Sequence, residues 1–188
     1  AMVSMYAKMG MISVAQLVFD KLQWKDVISW TALIEGCSEH GYAQEALELY
    51  GKMRLHGVNP NAVTFLCILK ACGIIGAIEK GQEMHTEIVK KGLLETQFIL
   101  GNSLVDMYAK CGLFIEAKQS LDMLPNQDVV AWTALIAGHV NHHQGLEALN
   151  CFEEMLHQDV SPNAITFVCS LKACGSIGAI QKGREIHA

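Results

Sequence analysis

The chain repeats itself at a long interval. NAVTFLCILKACGIIGAIEKGQEMH, from Asn61 to His85, returns as NAITFVCSLKACGSIGAIQKGREIH from Asn163 to His187, and WTALI, from Trp30 to Ile34, returns as Trp132 to Ile136. Both pairs are offset by 102 positions, and about half of all positions in that overlap are identical. Shorter self-similarity lies inside the long period, so the chain reads as a row of small units. Each unit buries apolar surface against its neighbours rather than in one central core.

The interval breaks into three unequal units, 27–61, 62–97 and 98–128, of 35, 36 and 31 residues. A further unit runs over 129–163, the next begins at 164–188, and 1–26 reads as the tail of another short one. Hydrophobic spacing makes each unit a helical hairpin. Trp30, Leu33, Ile34 and Cys37 fall at i, i+3, i+4 and i+7, one stripe of a first helix, and His40-Gly41 breaks it. Ala43, Ala46, Leu47, Tyr50 and Met53 give the second helix its buried face, and Gly57 to Pro60 ends it. In the next unit Phe65, Leu69 and Cys72 mark the first helix, with Ile78, Met84, His85 and Val89 on or near the second.

Composition agrees with an all-α chain: only three prolines, little Val/Thr alternation, and long segments rich in Ala, Leu, Glu and Met. No run of eighteen apolar residues is present, so no membrane span is expected, and the first residues lack the order of a signal peptide. Ala1 falls in what reads as mid-helix, suggesting a fragment whose targeting segment, if any, lies upstream. Seven cysteines, an odd number set mostly on apolar stripes, point to core packing in a reducing compartment. The formal net charge of −5 runs against a protein that holds nucleic acid mainly through phosphates.

With WTALI opening one unit, FxxxLKACxxxGAxxxGxxxH in the next and DMYAKCG in the short one, the chain strongly resembles the pentatricopeptide repeat family. The three texts and the alternating lengths resemble its PLS subclass from land plants, in which P, L and S motifs alternate. A tetratricopeptide array would keep one period of 34. On this resemblance 1–26 is a partial S motif, 27–61 P, 62–97 L, 98–128 S, 129–163 P and 164–188 a partial L.

The resemblance implies a right-handed superhelical solenoid of helix-turn-helix repeats. It also implies single-stranded RNA binding inside mitochondria or chloroplasts, one repeat per base, 5′ to 3′ from N- to C-terminus. In that family the fifth and last residues of each motif read the base. Those positions are Thr31 with Asn61, Leu66 with Gln97, Asn102 with Asp128, and Thr133 with Asn163; Asp26 ends the first unit and Val168 is the fifth residue of the last. The donor and acceptor chemistry agrees with the family's code. Asp128 accepts the ring N–H of uracil, whereas an Asn amide donates to the ring nitrogen of adenine. The short Thr side chain leaves room for a purine, and the longer Asn102 reaches a pyrimidine edge. Leu66 and Val168 cannot bond a base edge, so the implied target is 5′-A-N-U-A-N-3′. Thr31 and Thr133 are expected to turn off the buried stripe of WTALI, toward the base.

The second residue of each motif packs against the base in that family: Ile28, Val63, Ile99, Val130 and Ile165. All are stiff and β-branched, suited to stacking without choosing a sequence, although such a residue at a helix start is also an ordinary core residue. Lys8 and Lys110 occupy the place where the family often sets a phosphate-facing lysine, while the P units carry Glu39 and Asn141 there. Weak affinity and a shallow salt dependence follow.

Other motifs carry little. His85-Thr86-Glu87 fits the H-x-E of zinc deaminases, yet no P-C-x-x-C follows, so no catalysis is expected of this segment. Cys67, Cys72 and His85, with their copies Cys169, Cys174 and His187, lack a fourth ligand and read as core; His139, His142 and His143 read as a polar turn. Gly73, Gly76 and Gly81 are not followed by Lys and Ser/Thr, so they read as turn glycines. No metal or cofactor is implied. The whole points to the recognition tract of an organelle RNA-processing factor for C-to-U editing, with L motifs meeting editing accessory proteins. The alternative is a helical scaffold that binds protein partners, to which the acidic charge lends support.

Overall fold

Asp26, Asn61, Asp128 and Asn163 each turn the chain into a helix by the same device. The backbone at each is extended, and the side-chain oxygen accepts from backbone N–H groups of the first turn: Ser29 N at 2.8 Å, Thr64 N at 2.9 Å, Val130 N and Ala131 N at 3.0 Å each, and Thr166 N at 2.9 Å. Such a cap satisfies donors that the helix itself cannot, contributing about 1 kcal/mol. Helices start one residue later, at Val27, Ala62, Val129 and Ala164, each the first residue of an expected repeat. The helix at Phe98 differs, because Gln97 precedes it without a side-chain cap.

The computed structural model describes residues 2–125 and 127–187, all helices, turns and loops. The chain divides into two compact units, 1–93 and 94–188. The first holds three hairpins: α1 (Met2–Lys8) with α2 (Ile12–Asp20), α3 (Val27–Glu39) with α4 (Ala43–Leu55), and α5 (Ala62–Ile75) with α6 (Ile78–Lys90). A short α7 (Leu93–Thr96), not expected from the sequence, falls at the boundary. The second holds α8 (Phe98–Lys110) with α9 (Phe114–Asp122), α10 (Val129–Asn141) with α11 (Gly145–His157), and α12 (Ala164–Ile177) with α13 (Ile180–His187). Within each unit, every first helix packs on its own second helix and on the first helix of the adjacent hairpin, so α3 touches α1, α2, α4 and α5, and α10 touches α8, α9, α11 and α12.

The WTALI stripe forms the centre of each unit. Trp30, Leu33, Ile34 and Cys37 are buried, as are Trp132, Leu135 and Ile136. Phe19 meets Trp30 edge-on at 4.6 Å, and Lys118 lies 4.4 Å from the Trp132 ring. Two core assignments shift, by two positions on α4 and by one on α6. On α4 Leu49 is buried and Leu47 only half so, and on α6 Ile88 is buried while Val89 and Ile78 are exposed. Cys67, Cys72, Cys169 and Cys174 are buried core residues, and burial pushes the Cys67 thiol up to about 12.

First helices approach closely where glycine permits it. A Cβ built on Gly36 would lie 2.6 Å from the Ala7 Cβ, and one on Gly138 would lie 2.6 Å from the Ala109 Cβ. Each first helix of the P-like hairpins also reaches back at its end: His40 Nε2 donates to the Lys8 carbonyl oxygen at 3.2 Å, and His142 Nε2 to that of Lys110 at 3.0 Å. These residues recur 102 apart, so the same staple closes both units.

Candidate nucleic-acid interface

The side chains expected to read bases lie at the N-terminal ends of the first helices. Asn61, Asp128 and Asn163 each spend one oxygen on a helix cap, and the second oxygen of Asp128 meets Asn102 from the preceding hairpin. The cap therefore fixes the orientation of each of these side chains.

In the second unit Asn102 Nδ2 donates to Asp128 Oδ2 at 2.9 Å. Both residues are half-buried. Asp128 Oδ1 is already held by the N–H groups of Val130 and Ala131, so the two carboxylate oxygens have separate partners. An acceptor-rich carboxylate edge beside a carboxamide is left for a ligand.

Thr31 and Thr133 correct the sequence expectation. They do not turn off the buried stripe: they are 6% and 8% exposed. Thr31 Oγ1 lies 2.7 Å from Thr64 Oγ1, and Thr133 Oγ1 lies 2.7 Å from Thr166 Oγ1. The second hydroxyl of each pair donates to Asn61 Oδ1 at 2.9 Å or Asn163 Oδ1 at 3.0 Å. The physical reason is that a hydroxyl at this helix position meets the next first helix, where another hydroxyl satisfies it at little cost. Thr31 and Asn61 are thus joined through Thr64, not directly, and Thr133 and Asn163 through Thr166. Sequence reading missed Thr64 and Thr166, although Asn-x-x-Thr ahead of an apolar run is a capping-box signal.

The second-position residues are exposed. Ile28, Val63, Ile99, Val130 and Ile165 range from 43% to 70% exposed, which removes the reading of them as core. Each is the second residue of its helix, two positions after the capping residue or, for Ile99, after Gln97. Leu66 is half-buried, Val168 and Gln97 are exposed, and Asp26 is exposed with its carboxyl held below the usual range by the Ser29 backbone N–H.

Lys8 and Lys110 end α1 and α8 and are exposed. The Lys110 ammonium sits 2.6 Å from Asp106, so part of its charge is already answered within the helix. Their carbonyl oxygens, not their side chains, carry the histidine staples.

A family model described as PPR repeat family matches residues 25–73 and 127–176, and one described as PPR repeat matches 1–27 and 102–128. Together they cover most of the chain. The chain belongs to the pentatricopeptide repeat family. Among pentatricopeptide repeat-containing proteins of Arabidopsis thaliana, a chloroplastic one is 39% identical over 188 residues, all of this chain and 30% of its own length. A mitochondrial one is 38% identical over 183 residues, 97% of this chain and 28% of its own. The chain thus spans less than a third of the pentatricopeptide repeat proteins it matches. The crystal structure of PPR10 from maize superposes with a TM-score of 0.70 at 23% identity, over 98% of this chain and 27% of PPR10. PPR10 in complex with an 18-nt psaJ RNA element gives 0.79 at 24% identity, over 96% and 27%. The likeness shows the fold, an all-α solenoid of helical hairpins. No helix among the described residues is long and apolar enough to cross a membrane.

Proposed function

We propose that this chain is a recognition tract for single-stranded RNA, reading one base per repeat. The observation that carries the proposal is the arrangement in the repeats 27–61, 98–128 and 129–163. A polar fifth residue is tied by hydrogen bonds to the last residue of the same repeat, and exposed β-branched side chains flank the pair. Stacking faces and a hydrogen-bonding edge are what a splayed base requires.

Thr31 with Asn61 and Thr133 with Asn163 read adenine, Asn102 with Asp128 reads uracil, and the hairpins carrying Leu66 and Val168 act as spacers. The target is 5′-A-N-U-A-N-3′ in chain order. The chain is taken to belong to the PLS subclass and to the tract of an organellar C-to-U editing factor, with the chemical step assigned to no residue of this segment. Relatives named chloroplastic and mitochondrial support an organelle without choosing one. PPR10, a protein of the same fold, has been crystallised with RNA.

Thr31→Asn combined with Thr133→Asn tests the assignment. The longer amides fill the space left for a purine, so preference at both positions moves from adenine to pyrimidines. An unchanged preference contradicts the reading. A scaffold for protein partners has no reason to respond at all.

A further inference from the structure

We propose that Thr64 and Thr166, which stand outside the two reader positions, are positioning residues that decide which hydrogen-bonding pattern the Thr–Asn pairs turn toward a base. The proposal rests on the base-reading function above. It follows from counting protons. Thr64 Oγ1 lies 2.9 Å from Asn61 Oδ1, and that oxygen also accepts the Thr64 backbone N–H at 2.9 Å, which fixes the amide with its oxygen inward. A carbonyl oxygen only accepts, so the single Thr64 hydroxyl proton goes to Asn61. Thr31, 2.7 Å from Thr64 Oγ1, must then be the donor in that contact. The Asn61 backbone N–H, 3.2 Å away, completes the acceptor side of Thr64.

The direction of this relay sets the outer face. Asn61 keeps only Nδ2, a donor, and Thr31 keeps only hydroxyl lone pairs, an acceptor. A ring nitrogen lone pair beside an exocyclic amine, the edge of adenine, is the complement. Guanine presents the reverse order, a ring N–H beside a carbonyl. The second unit repeats the arrangement with Thr133, Thr166 and Asn163 at 2.7, 3.0, 2.9 and 3.2 Å. Where the reader pair is Asn102–Asp128, the equivalent third residue of the following helix is Ala131, which has no hydroxyl, and the pair bonds directly. The hydroxyl thus accompanies the Thr–Asn pairs. Without it the backbone N–H of residue 64 still holds the Asn61 amide oxygen inward, but Thr31 is free to rotate its proton outward, so its hydroxyl meets a carbonyl as readily as an amine and the choice of adenine over guanine weakens.

The test compares the full 188-residue chain with Thr64→Val/Thr166→Val and Thr64→Ser/Thr166→Ser in fluorescence anisotropy with single strands ACUAC and GCUGC. The wild-type and serine proteins prefer ACUAC, and in the valine protein that preference falls by about tenfold or more. A valine protein that keeps the full preference overturns the relay while leaving base reading intact. A wild-type protein with no preference overturns base reading and the relay together. The preference is a ratio, so a partly unfolded variant lowers both affinities equally and leaves it unmoved. Should the valine pair not fold, Thr64→Ala/Thr166→Ala carries the same comparison.

Discussion

Asn102 and Asp128, 26 residues apart in the chain, hold each other at 2.9 Å. Because Asp128 also caps α10, the helix dipole, the cap and the proposed reader pair share one carboxylate. A change at Asp128 is therefore both a stability and a specificity experiment, and the two effects separate by chemistry.

Asp128→Asn keeps the cap, since Asn and Asp cap almost equally, so stability changes by no more than about 0.5 kcal/mol. The new amide brings a donor where uracil needs an acceptor. Preference at the third base moves from uracil to cytosine, measured by competition between ACUAC and ACCAC. Asp128→Ala instead lowers stability by about 1 kcal/mol and weakens both.

Gly36→Ala and Gly138→Ala each place a methyl 2.6 Å from the Cβ of Ala7 or Ala109, with backbone atoms of those residues 3.0 Å away. The backbone cannot yield as a flexible side chain would, so each costs about 1–3 kcal/mol in denaturant melts. Gly51→Ala, on α4 with nothing within 4 Å, is the control and stabilises by about 0.5–1 kcal/mol.

The two copies differ where the chain turns left-handed. Gly41 and Gly57 have φ of 87° and 72°, and their counterparts His143 and Asp159 adopt 59° and 57° with a side chain attached. His143→Gly should raise stability by about 1 kcal/mol, and Asp159→Gly by less, because Asp tolerates this region better. Thermal melts of the single and double variants check this.

His139 is buried, stacked on Phe114 at 3.9 Å, with Nδ1 donating to Gln144 Oε1 at 2.8 Å. Burial lowers its pKa from the ordinary 6.5, outweighing the opposing effects of Gln144 and Glu147. Burial lowers that of His85 as well. A base that is harder to protonate when folded makes the unfolded state bind more protons as pH falls. Stability is therefore complete above pH 6.5 and declines below it until the folded pKa is passed. His139→Phe flattens the pH 6.5 to 4.5 slope; a slope identical to wild type excludes His139 as a source.

The hairpins and most of the core were legible because their signals are local: helical spacing, a broken stripe, a duplicated text. Reader positions came from the family resemblance, and their surroundings did not. Whether Thr31 is exposed depends on a helix 33 residues away presenting Thr64, which periodicity along one helix cannot show. The exchange of Leu47 for Leu49, and of Val89 for Ile88, has a similar origin, since the angle at which a second helix meets its neighbours selects among adjacent apolar residues. His40 and His142 looked like helix-ending polar residues, and only the packed neighbour reveals the carbonyl each one holds.

The central claim is that this chain chooses bases. Binding of the purified chain to ACUAC and to GCUGC, measured side by side at low salt, tests it most directly. The account predicts tighter binding to ACUAC, with an affinity that falls only shallowly as salt rises, in keeping with the net charge of −5. Equal binding to both strands, or binding to neither, contradicts it.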